Sequence, residues 1–138
     1  MVLRMTHQEK ILVQNSWRLL RDIDPQKLGD LFYSKLFFDH PEVRSLFPKD
    51  MTGQMSKLIQ ILNIIVARLD HIEDLYEEIV ALAKRHVEYG VLPKHYAWVC
   101  TALLWTIERS LNSDWTPPVE QAWIACYALL SSTMLDAV

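Results

Sequence analysis

The six prolines of this chain, Pro25, Pro41, Pro48, Pro93, Pro117 and Pro118, all stand where a run of apolar periodicity begins or where the chain turns, and none interrupts such a run. Proline fixes φ and lacks an N–H, so it suits the first turn of a helix and disrupts the interior of one. Only three glycines accompany the prolines. Between these marks apolar residues recur at intervals of three and four, and no segment keeps up the alternation of a half-buried strand. A chain punctuated in this way folds as a set of helices.

Each helix can be read in turn. Thr6 and Glu9 have the spacing of a capping box, and Val13, Trp17 and Leu20 give the first helix an inner stripe. Asp24-Pro25 reads as the N-cap and first turn of a second helix, running to about Asp39. Pro41 opens a short helical turn, PEVRSLF, closed by Pro48. From Met51 to about Asp70, Gln54, Leu58, Ile61 and Ile65 share one face. A helix from about Glu73 carries Leu75, Ile79 and Leu82 inward and stops at Gly90, a suitable C-terminal cap. Pro93 opens a long helix with Val99, Leu103, Leu104, Ile107 and Leu111 inside. Thr116-Pro117-Pro118 opens the last, whose stripe is Trp123, Tyr127, Leu130 and Met134. With 138 residues, 51% of them apolar, and no repeat or linker, the expectation is one all-α domain over residues 1–138, six or seven helices around one core.

Charge and composition exclude several classes. The net charge is −3 with no basic stripe, which argues against nucleic acid or an anionic membrane as partner. The start, MVLRMTHQEK, lacks the apolar centre of a secretory signal. The run LIQILNIIVARL is broken by Gln60, Asn63 and Arg68 and is too short to span a bilayer. Cys100 and Cys126 lie in apolar helical context without a CxxC, as reduced core residues of a cytoplasmic protein do. The absence of CxxCH excludes covalent haem attachment of the c type.

One stretch, ALAKRHVEYGVLPKHY, breaks the apolar rule. His86 continues the inner stripe of Ile79 and Leu82. One reading is a core histidine with both ring nitrogens hydrogen-bonded. The other is metal ligation. Positions 82, 83, 89 and 90 supply no second ligand on that helix, and the chain has no HExxH or zinc-spaced cluster. A lone imidazole holds a bare ion poorly, but it suffices as axial ligand to an iron already held by four porphyrin nitrogens. His7, His40, His71 and His95 follow no full apolar stripe and read as surface or boundary residues.

In combination these motifs resemble the globins, in particular bacterial single-domain globins of the lineage that includes flavohaemoglobin globin domains and neuroglobin. The resemblance rests on Trp17, LFYSKLFFDHPEVRSLF, RHVEYGV followed by HY, and AW with a tyrosine four residues after that tryptophan, and runs from about residue 6 to 135. It implies a 3-over-3 globin fold around one non-covalent haem b. His86 is then the proximal ligand, its other ring nitrogen donating to the Leu82 carbonyl, and Phe47 wedges against the porphyrin. Gly29 lets two helices cross closely, and Tyr33 faces the sixth iron site. Gln54 lies 32 residues before His86 and Lys57 lies 29 before it. The stripe shared with Leu58 favours Gln54 as the distal residue, while Lys57 points to the edge. Lys57 and Arg85 are either partners of the haem propionates or solvated surface charges. The apolar wall is expected from Phe37, Phe47, Leu58, Leu82, Val91, Val99, Leu130 and Met134.

Tyr96 matches a tyrosine that works with a glutamate on the proximal side of flavohaemoglobins. Here the matching end is LDAV, with Val138 in place of the acid, so a weaker push on the iron is expected. The chain is also expected to stop where a flavin and nicotinamide reductase would begin. The resemblance therefore implies a carrier or scavenger of O2, and of NO, CO or sulfide, as monomer or weak homo-oligomer. The alternatives are nitric oxide dioxygenation or peroxide chemistry with an external reductase, and a gas-sensing regulator. For a sensor, no room for an output domain is expected.

Overall fold

The computed structural model describes residues 4–138, and within them every regular element is helical. The α-helices are α1 (His7–Leu20), α2 (Pro25–Asp39), α3 (Thr52–Ala67), α4 (Tyr76–Glu88), α5 (Pro93–Leu111) and α6 (Pro117–Asp136), with 3-10 turns at Pro41–Leu46, Leu69–Leu75 and Asn112–Asp114. α1 packs on α6, α2 crosses α3 and α5, and α4 rests on α6. This is an all-α arrangement around one core, as the sequence leads one to expect.

The local signals hold in detail. The Thr6 hydroxyl accepts from Glu9 N–H at 3.1 Å while Thr6 N–H donates to the Glu9 carboxylate at 2.8 Å. Asp24 caps α2 through Gln26 N–H at 3.0 Å, and Pro25 occupies its first turn. Two boundaries differ from the sequence reading. α3 ends at Ala67 and α4 begins at Tyr76, because Leu69–Leu75 winds as a 3-10 segment with non-helical φ and ψ at His71. Leu69 and Leu75 are buried there, so tertiary packing rather than helical periodicity sets the path of this corner.

The core is fastened by indoles. Trp17 and Trp123 lie with centroids 5.9 Å apart, joining α1 to α6. Each N–H finds an acceptor: Trp17 donates to Asn63 Oδ1 at 2.6 Å and Trp123 to Ser16 Oγ at 2.9 Å. Buried polar tips satisfied in this way make the aromatic contacts orientation-specific. Gly29 is buried on α2, which packs against both α3 and α5. Cys100 and Cys126 are both free thiols.

Candidate functional site

A cavity of about 610 Å³ opens between α3 and α4, within the range of small-molecule sites. Phe32 and Tyr33 of α2 form its back, Leu46, Phe47 and Pro48 one end, Leu58 and Ile61 of α3 one wall, and Val99 of α5 its floor. Gln54, Lys57 and Gln60 line it from α3, and Arg85, His86 and Tyr89 from α4. An inner lobe of about 150 Å³ shares Leu58, Ile61, His86 and Val99, and adds Leu82, Val91, Tyr96, Leu130 and Met134. Apolar side chains line the depth, while the cations Lys57 and Arg85 are exposed residues of its wall.

His86 is set by two features of α4. Its Nδ1 lies 2.8 Å from the Leu82 carbonyl one turn earlier, so Nδ1 carries the proton and Nε2 keeps a free lone pair. Among the described residues Nε2 has no hydrogen-bond partner. Burial, and secondarily the Arg85 guanidinium, pull the imidazole below its ordinary pKa against the opposing pull of the Leu82 carbonyl. The ring is therefore neutral, the form a metal needs. Below it, Gly90 N–H bonds to Val87 O at 3.0 Å and Val91 N–H to His86 O at 2.9 Å, the paired bonds of a Schellman motif. Gly90 has φ of 90°, where a Cβ is strained. The Gly90→Ala variant is expected to lose about 1–2 kcal/mol, read as a lower urea midpoint at unchanged m-value.

On the other side, Tyr33 is buried and its hydroxyl donates to the Gln54 backbone carbonyl at a long 3.4 Å. Burial pushes its phenol up to about 12, so it stays protonated at neutral pH. Its ring contacts Phe47 edge-on at 5.4 Å and stacks on Phe37 at 5.8 Å. Phe37, expected in the cavity wall, is not among the residues that line it; its ring packs against Tyr33 and Phe47, with the Arg44 guanidinium over it. Gln54 is half-buried and Lys57 exposed, yet both reach the cavity.

Sequence reasoning missed three features. Arg44 donates to the Phe47, Pro48 and Lys49 carbonyls at 3.3, 2.8 and 2.9 Å and lies over the Phe37 ring, clamping the loop that presents Phe47. Its only sequence signal was an arginine in the last turn of a short helix. Arg44→Ala should lower stability by about 1–3 kcal/mol, measured by chemical denaturation, since charged donors to carbonyls are the stronger kind. The Tyr127 hydroxyl donates to the Tyr96 carbonyl at 2.6 Å, tying α6 to α5 beside His86. The Tyr96 ring stands 6.5 Å from the His86 ring. Third, of the histidines read as surface or boundary residues, His95 stands at the boundary: it is 8% exposed, and its ring accepts from Leu92 N–H at the start of α5. His40 is half-buried, stacked on Trp98 at 3.8 Å, while His7 and His71 are exposed as expected. Val138 is exposed after the end of α6.

The residues present fit a haem. A free imidazole lone pair faces an apolar cavity, and two cations near its rim suit a flat apolar disc bearing two carboxylates. No group of three or more histidine, cysteine or acidic side chains among the described residues is placed to hold a bare metal ion.

The chain is similar to known proteins in sequence and in fold. A family model described as Globin matches residues 30–134. Neuroglobin-1 of Oncorhynchus mykiss is 27% identical, the alignment covering 95% of this chain and 91% of that protein. A flavohemoprotein of Vibrio cholerae is 29% identical over 96% of this chain and 34% of its own length, so the chain spans about a third of that relative. Among solved structures, an engineered carbene transferase from Rhodothermus marinus, built on a proposed nitric oxide dioxygenase, matches with a TM-score of 0.83 at 28% identity, covering 93% of this chain and 89% of that one. A bacterial globin from Campylobacter jejuni matches in fold with a TM-score of 0.81 at 22% identity, over 96% of this chain and 95% of that one.

Proposed function

Because the chain belongs to the globin family, and is a haem-binding globin, we propose that it carries or scavenges O2 at a haem b held by His86, with Tyr33 and Gln54 stabilising the bound gas. The observation that carries this reading is the imidazole Nε2, free of protein partners, in the wall of the cavity that Tyr33 and Gln54 also line. When bound, haem would supply an iron for His86 to hold and to which a small gas could bind. Every other part of the task falls to the chain.

The Leu82 carbonyl holds the His86 ring in one tautomer and orientation. Phe47, Leu58, Val99, Leu130 and Met134 enclose the disc and exclude water. Lys57 and Arg85 pair with its carboxylates near the rim, where their charges stay hydrated. Tyr33 O–H, turned away from its long bond to the Gln54 carbonyl, and the Gln54 amide act as donors toward the gas. Each such bond is worth about 1.5–3 kcal/mol, and each 1.4 kcal/mol is tenfold in affinity.

Similarity to flavohemoproteins supports a second reading, nitric oxide dioxygenation with electrons from an external reductase. One feature weighs against it. The Tyr96 hydroxyl meets no carboxylate among the described residues, so His86 leans on a backbone carbonyl alone and gains little basicity. No helix among the described residues is long and apolar enough to cross a membrane, and the free thiols suit a cytoplasmic setting. The test is a visible spectrum of the purified protein, ferric and then reduced under CO, followed by NO consumption with added reductase. A haem spectrum with slow NO turnover is expected. A missing Soret band ends both readings, and rapid reductase-dependent turnover to nitrate favours the second.

A further inference from the structure

The corner between α4 and α5 is held by consecutive backbone N–H groups that bond in opposite directions. Val91 N–H reaches back to the carbonyl of His86 at 2.9 Å. The next, Leu92 N–H, reaches forward to Nδ1 of His95 at 2.9 Å, while His95 N–H returns to the Leu92 carbonyl at 2.9 Å. This is the returning half of a capping box, with histidine at the third helical position in place of the usual glutamate or glutamine; Leu92 has no side-chain acceptor, so its backbone carbonyl takes the His95 N–H instead. A glutamate there accepts over the whole physiological range. A histidine accepts at Nδ1 only while that nitrogen is unprotonated.

We propose that His95 is a positioning residue for His86: its neutral ring closes this corner, and its protonation opens it and loosens the hold on the haem. The inference rests on the haem reading for its second half only.

The surroundings favour the neutral ring. His95 is covered, lying 5.1 Å from Trp98, on whose ring His40 is stacked. The titratable and charged groups that face it are Lys94 on its own helix, and Glu42 and His40 from the Pro41–Leu46 turn. Burial first, then Lys94, pull its pKa below the ordinary 6.5, with Glu42 opposing and His40 adding to the fall. The N-terminus of α5 disfavours a cation as well. The folded state therefore binds this proton less readily than the unfolded chain. Its contribution is complete above about pH 6.5 and is lost as pH falls through the lowered value. The ring also lines the inner lobe of the cavity, whose wall includes His86, so opening here reaches the same cavity.

The test compares the wild type with His95→Gln and His95→Ala, all haem-loaded, between pH 8 and pH 5. Two quantities are read: the NMR hydrogen-exchange protection of the Leu92 amide, and the rate of haem loss to an apoprotein acceptor. In the wild type, Leu92 protection should fall and haem loss should rise on the order of tenfold as pH drops, the scale of a lost cap. Glutamine keeps the acceptor without the titration, so His95→Gln should hold its neutral-pH values across the range. His95→Ala should resemble the acidified wild type at every pH. A flat wild-type protection profile, or a His95→Gln profile that follows the wild type, overturns the proposal. Leu92 protection reports the cap whether or not His86 binds iron, so failure of the haem reading alters only the second measurement.

Discussion

Replacing His86 with glycine should strip the protein of haem, or leave it held so weakly that an apoprotein acceptor removes it at once. Changing a group that merely orients a metal ligand costs about 10–100-fold in affinity, so deleting the ligand itself should exceed a hundredfold. The fold should survive. His86 is half-buried beside a cavity, outside the packed core of Val13, Leu20, Leu36, Leu69, Ile107 and Trp123. Glycine also leaves room for free imidazole, which should restore a five-coordinate ferrous spectrum when added. A variant that retains its pigment with an unchanged spectrum would show that another residue holds the iron. That result would remove the basis of the proposed function while leaving the globin fold intact.

Tyr33→Phe should raise the O2 off-rate by about 10–150-fold, the consequence of losing a donor worth about 1.5–3 kcal/mol to a charged acceptor. Stopped-flow displacement of O2 by CO measures it. The structural cost should be small. Phenylalanine keeps the ring against Phe32, Phe37 and Phe47, and the hydroxyl's bond to the Gln54 carbonyl, at 3.4 Å, is long. That slack matters, since the hydroxyl can turn toward a ligand without giving up a strong partner. An off-rate within twofold of wild type would transfer the donor role to Gln54. A large loss of stability would make Tyr33 a core residue first.

Much of the architecture was legible because helix signals are local. The Thr6–Glu9 box, the Asp24-Pro25 start and the Gly90 stop each depend on residues within one turn of one another. His86 was legible for a related reason: an imidazole on an apolar stripe is a local anomaly, and its bond to Leu82 closes within a single helical turn. The Leu69–Leu75 corner was misread as parts of two helices, since its path follows burial against distant residues. Phe37 stands one ring away from the cavity lining, against Tyr33 and Phe47, since helical phase names a face but not what that face meets. Arg44 was missed because its acceptors are backbone carbonyls, which every residue has and no pattern marks.

By itself the sequence determined the helices, their order and the one polar interruption that faces inward, all set by steric and hydrogen-bonding rules acting over a few residues. Only the tertiary structure decided how Tyr33, Gln54 and His86, grouped beforehand by resemblance alone, line one cavity, that Arg44 clamps Phe47, and that the His95 ring accepts from Leu92 N–H. Those outcomes depend on where separate helices cross, and a crossing is chosen by the packing of whole faces, which no short segment encodes.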